Sequence, residues 1–95
     1  AIRLHGPHNE CKAFTLGMSH FLPGGGTDYV EPPVELVYFI LEGEMTIMDK
    51  DGNVIEVLGK HDSMHFAAGE GKQILNKQNY PATMLVIASP LPQKD

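Results

Sequence analysis

Three groupings of side chains in this sequence are of types that do chemistry. The first is the lysine of "GEGKQILN", Lys72, with the two glutamates of "EPPVEL", Glu31 and Glu35. An amine beside a carboxylate in a partly dry site shifts both pKa values and makes an acid–base pair, and a deprotonated amine attacks carbonyl carbon. The second is His20 and His65 with a glutamate, a donor set suited to a divalent metal. The third is Cys11 in "NECKAF", where no paired basic residue and histidine would activate a thiolate, so it reads as an inert thiol. Each grouping has a plainer reading. Lys72 follows the turn "GEG", where a lysine is commonly solvated, and a lone histidine on an apolar face is more often a hydrogen-bonded structural residue than a catalyst. His61 lies near a turn, and His5 and His8 lie in a polar N-terminal stretch.

The elements that must position these groups are short. Glycine and proline, seventeen in the chain, cluster at "LPGGGTD", "EPP", "DKDGN" and "AAGEG", which hold nine of them spaced as turns between brief apolar segments, and the pattern predicts an all-β chain. No window combines helical apolar spacing with capping residues. "AFTLGMSHF" alternates, placing Phe14, Leu16, Met18 and His20 on one face, and the apolar face is expected to be the inner one. "VELVYFILEGEMTIM" is apolar on both faces over residues 36–41, as a strand covered from both sides would be. "DKDGN" reads as a hairpin turn leading into "VIEVL", and "ATMLVIA" as a buried strand. In "HDSMHFAAG", His65 shares its face with Ser63 and Ala67, opposite Met64 and Phe66, so it is expected to point away from the core.

"YFILEGEMTI", then "DKDGN", a strand and "HDSMHFAAGEGKQILN" together resemble the two linked motifs of the cupin superfamily, over roughly residues 14–90. The resemblance implies a small antiparallel jelly-roll β-barrel. It also implies a metal bound by three histidines and a glutamate, and here the sequence departs from the family. In the second motif, Ala67 stands at the proline, Gly69 at the glycine, Asn76 at the asparagine and Lys72 at the histidine. In the first, counted back from Gly43, Leu36 stands at the glutamate, and Val30 and Pro32, or Tyr29 and Glu31, stand at the histidines. An ammonium group has no lone pair to give a metal and repels a cation, so Lys72 argues for no metal at the usual place. The family's frame turns Lys72 inward, where it would need a carboxylate, Glu31 or Glu35, to offset desolvation. Tyr38, Ile74, Asn76 and His20 are then expected around a ligand, with no cofactor.

Length and charge bound the rest. Ninety-five residues make one domain, divided here into an N-terminal arm (1–13), the barrel (14–90) and a Pro-rich tail (91–95). Twelve acidic against seven basic residues, with the lysines scattered, leave no footprint for nucleic acid or an anionic membrane, and no apolar run is long enough to span a bilayer. A single cysteine and the lack of a leader-like start lead to the expectation of a cytoplasmic protein. The doubly apolar strand 36–41 leads to the expectation of a homodimer. Three functions remain open. One is an isomerase, lyase or hydrolase acting through Lys72 and Glu31 or Glu35 on a small carboxylated or carbonyl-bearing molecule. The second is a non-catalytic small-molecule binding module, and the third a metal-dependent oxygenase using His20, His65 and a glutamate.

Overall fold

A computed structural model of the chain describes residues 2–5 as backbone and residues 14–89 in full. The expectations for Cys11, His8 and the tail 91–95, and for most of the arm, lie outside the described residues. Every regular element among the described residues is a strand: β1 (Ile2–His5), β2 (Thr15–Phe21), β3 (Leu36–Glu42), β4 (Met45–Met48), β5 (Val54–Leu58), β6 (Ser63–Phe66), β7 (Gln73–Leu75) and β8 (Ala82–Ala88). They form a five-stranded sheet, β1-β2-β8-β3-β6, and a three-stranded sheet, β5-β4-β7. All strand pairs are antiparallel.

The "DKDGN" turn forms as its residues dictate. Asp49 Oδ1 accepts hydrogen bonds from the Asp51 and Asn53 amides, both 2.9 Å, and Gly52 takes φ +83°, which closes the β4–β5 hairpin. The glycine-rich stretch "GGGTDYV" runs antiparallel beside β7 as a strap, with bridges at Gly26–Leu75 and Val30–Lys72. Glycine is required at position 26, because a Cβ there would collide with the Ile74 carbonyl oxygen.

The core lies between the sheets. Leu36, Tyr38, Ile40, Phe66, Ala82 and Met84 face it from the larger sheet, and Met45, Ile47, Leu58 and Ile74 from the smaller. Burying a side chain such as Phe66 or Ile40 contributes about 1.5–3 kcal/mol. Strand β3 pairs along both edges, with β6 and β8, but only one face is covered: Leu36, Tyr38 and Ile40 are buried while Val37, Phe39 and Leu41 are half-buried.

The facing of β2 is the reverse of the expected one. Residues opposed in an antiparallel pair share a face. Ser19 opposes Met84 and Phe21 opposes Ala82, both core residues, whereas Leu16, Met18 and His20 oppose Ile87, Leu85 and Thr83 on the outer side. Thr15, Gly17, Ser19 and Phe21 therefore face the barrel. Alternation separates the two faces of a strand without saying which is the interior. Here the apolar face joins Val37, Phe39, Leu85 and Ile87 in an apolar outer surface.

Candidate functional site

Lys72 lies at the end of the 67–71 turn, immediately before β7. With Ile74 and Asn76 it alternates onto the inner face, and all three are buried, Lys72 to 1% exposure. Its main chain is fixed by the strap: Val30 donates to the Lys72 carbonyl and Lys72 to the Val30 carbonyl, each at 3.0 Å. The side chain crosses to the opposite sheet and ends between two rings. Nζ is 4.9 Å from the Phe66 centroid and 5.3 Å from the Tyr38 centroid. The rings are themselves 5.2 Å apart and tilted by 58°.

Nζ has no hydrogen-bond partner among the described residues. The aromatic faces supply attraction for a cation but accept no conventional hydrogen bond, so they replace only part of the lost hydration. Burial accordingly holds the Lys72 amine below the usual lysine value, with the charge of Glu70 pulling it partly back. Burial likewise pushes the Tyr38 hydroxyl up to about 12.

The expected carboxylate partners go elsewhere. Glu31 accepts a hydrogen bond from the Tyr29 hydroxyl at 3.0 Å, which raises the pKa of that hydroxyl, and Glu35 pairs with His65 at 3.1 Å. Both glutamates are exposed. Glu31 follows the end of the strap and turns back to Tyr29, and Glu35, just before β3, is held by the Ser89 hydroxyl at its amide and by His65 at its carboxylate. The carboxylate whose charge reaches Lys72 is Glu70, two residues earlier in "GEGK", where its Oε2 also accepts from the Ala67 amide at 2.8 Å. Sequence spacing could have found it, since a turn brings its own flanks together. Tyr29 and Glu31 lie over Gly71, leaving no room there for a side chain.

The remaining expected residues divide. Tyr38 and Ile74 adjoin Lys72 in the interior. His20 is exposed on the outer face, its Nδ1 3.0 Å from the Thr83 hydroxyl, because β2 presents its other face inward. Asn76 is wholly buried and engaged with backbone. Its Nδ2 donates to the carbonyls of Phe21 (3.0 Å) and Tyr80 (2.9 Å), and its Oδ1 accepts from the Gln78 amide (2.9 Å).

Among the described residues no three His, Cys, Asp or Glu side chains gather as a metal site. His65 opposes Val37 and His20 opposes Thr83, which places them at different ends of the outer face, so they do not converge. At the positions of the usual ligands, Leu36 and Lys72 with Val30 and Pro32 of one alignment do not fit a cation, and Glu31 of the other alignment is exposed and bonded to Tyr29.

No model of a known protein family matches the sequence. The chain is 36% identical over 92 residues to the β-D-galactosidase Rv1717 of Mycobacterium tuberculosis, an alignment covering 95% of this chain and 78% of that protein. Among solved structures it resembles a sugar phosphate isomerase of the cupin superfamily from Silicibacter pomeroyi (TM-score 0.77, 24% identity, 95% of this chain and 58% of that one). It also resembles the polyketide cyclase RemF from Streptomyces resistomycificus (TM-score 0.81, 22% identity, 92% and 61%). A third is the cupin domain of an XRE family transcriptional regulator from Enterobacter cloacae (TM-score 0.76, 19% identity, 96% and 94%). The chain thus spans less than two thirds of the isomerase and the cyclase but nearly all of the regulator's domain. With two antiparallel sheets facing across one core, this chain has the fold of these cupin structures, and through the relative matched along most of its length it belongs to one family with the β-D-galactosidase Rv1717.

Proposed function

We propose that the chain binds a small carbohydrate or sugar-derived acid at the barrel end that carries Lys72, and that it hydrolyses a β-D-galactoside there. The observation that carries the reading is the Lys72 amine, buried without a hydrogen-bond partner at the position where the superfamily places a metal-binding histidine. A fixed amine can do part of what a metal does in such a barrel: hold an anionic group, polarise an oxygen or give up a proton. The 36% identity to a β-D-galactosidase supports a sugar as ligand and hydrolysis as the reaction. Glycoside hydrolysis needs an acid and a second carboxylate or base. Lys72 is the candidate proton carrier, and Glu70, whose charge acts on it, is the candidate carboxylate.

The test is release of nitrophenol from nitrophenyl β-D-galactoside, with binding of methyl β-D-galactoside measured by calorimetry. The wild type should turn over the first and bind the second, and Lys72→Met should do neither while keeping its fold. Binding and turnover unchanged in Lys72→Met would sink the reading. Binding without turnover would leave the non-catalytic module, a reading favoured by the absence of a carboxylate in hydrogen-bond contact with Lys72.

The apolar outer surface of Leu16, Met18, Val37, Phe39, Leu85 and Ile87 supports a homodimer built on the five-stranded sheet. The surface is a single sheet face that can meet its own copy about a two-fold axis.

A further inference from the structure

We infer that Lys72 is a nucleophile that captures small aldehydes, including the open-chain form of a reducing sugar, as an imine. The inference rests on the proposed ligand site at Lys72 and adds to it a covalent step.

The surroundings of the amine decide between holding an anion and attacking a carbonyl. An anion site needs a charged ammonium with further donors converging on the same anion. Around Nζ there are instead the faces of Phe66 and Tyr38, with no acceptor among the described residues to hold the ammonium protons. Such a place disfavours the charged amine, and the neutral amine is the form that attacks carbonyl carbon. Burial lowers the pKa in the same sense, against the partial opposition of Glu70. The same rings suit the product. A protonated imine is a cation with fewer N–H groups to satisfy than an ammonium, and two aromatic faces at about 5 Å stabilise it without acceptors. Hydrolysis of a galactoside frees a reducing end, so the proposed reaction itself generates a carbonyl of the required class.

The step balances without a further reagent. The Nζ lone pair forms a bond to the aldehyde carbon while the carbonyl π pair moves to oxygen. A proton passes from nitrogen to that oxygen, giving a carbinolamine. The hydroxyl, protonated once more, leaves as water as the nitrogen lone pair closes the C=N bond. Solvent water supplies and takes up these protons, and the charge of Glu70 favours the protonated nitrogen. The amine is sealed in the structure described, so capture of the aldehyde requires the Lys72 side chain to swing clear of the two rings.

The experiment incubates the full chain with glyceraldehyde and cyanoborohydride at neutral pH, where hydride from the reductant converts an imine to a stable secondary amine. The expected result is one reduced adduct per chain, mapped by peptide mass spectrometry to Lys72, and its loss in Lys72→Met. Label on Lys50, Lys60 and Lys77 with Lys72 unmodified overturns the inference, and the wild-type map decides this whether or not the variant folds. A parallel arm measures methyl β-D-galactoside, which has no free carbonyl, by saturation-transfer NMR. Lys72-dependent binding there with no adduct on Lys72 overturns the imine and leaves the proposed function standing. Failure of both arms removes both.

Discussion

Val30 and Lys72 are bonded to each other through both main-chain groups, so one of the two positions that can be aligned with the superfamily's first histidine faces the one aligned with its last. The frame that would bring metal ligands together is therefore intact. What has changed is the chemistry it carries. The consequences of a lysine there can be measured.

Lys72→Met should raise stability by about 1–4 kcal/mol, because methionine fills similar space without the cost of a buried, unbonded ammonium. The gain should depend on pH. With its pKa depressed below the ordinary 10.5, folded Lys72 binds fewer protons than the unfolded chain between its depressed value and 10.5, so wild-type stability climbs through that window. The advantage of the variant should be full below the window and shrink as pH rises through it. Tyr38 contributes in the opposite sense, losing stability between 10.0 and about 12, but it does so in both proteins and cancels in the difference. Urea denaturation from pH 7 upward reads this, and a difference flat with pH would contradict the assignment.

Asn76→Ala should cost about 3 kcal/mol, since it strips partners from two carbonyls and one amide around a buried side chain. Asn76→Asp should not restore the loss, because a carboxylate would face the Phe21 and Tyr80 carbonyls without protons to give. Thermal denaturation of both variants checks it. A wild-type melting temperature in either would show that these bonds hold nothing.

Gly71→Ala should destabilise the strap by about 1–3 kcal/mol through crowding against the Tyr29 ring and Glu31. The cost should fall when Tyr29→Ala is made in the same chain, because the crowding then loses its main partner. A double-mutant cycle on urea stability reads the coupling, and simple additivity would argue against the contact.

Leu85→Lys should convert a dimer to a monomer in sedimentation equilibrium while leaving the β-sheet circular dichroism spectrum unchanged, since Leu85 lies on the outer face between Met18 and Phe39. A wild type that sediments as a monomer would dispose of the dimer directly.

Much of the barrel is legible in residue order. Glycine and proline mark the turns, "DKDGN" forms its hairpin, and Leu36, Tyr38, Ile40, Met45, Ile47, Ile74 and Met84 all reach the core. Leu16 and Met18 do not, because a period of two is the same for either face and only the neighbours Leu85 and Ile87 show which side is outside. The burial of Lys72 comes from the motif frame, since its local sequence reads as a solvated turn. Its carboxylate does not, because charge pairing depends on side-chain direction: Glu31 and Glu35 are near in the chain's path yet turn to Tyr29 and His65, while Glu70 reaches Lys72 from the same turn.

The strap over β7 is tied down by amides and carbonyls: Gly24 to Asn76, Thr27 to Ile74, Val30 to Lys72 and Asn76 back to Gly25. A segment fastened in this way holds its place whatever side chains most of its residues carry. The rim of the barrel can therefore be rewritten, residue by residue, to suit a different guest at little cost to folding. The exceptions are where backbone presses against backbone or ring, as at Gly26 and at Gly71 beneath Tyr29. Variation in specificity among barrels built this way should concentrate at positions 27, 28 and 30 and spare those two glycines together with the Tyr29 ring over Gly71.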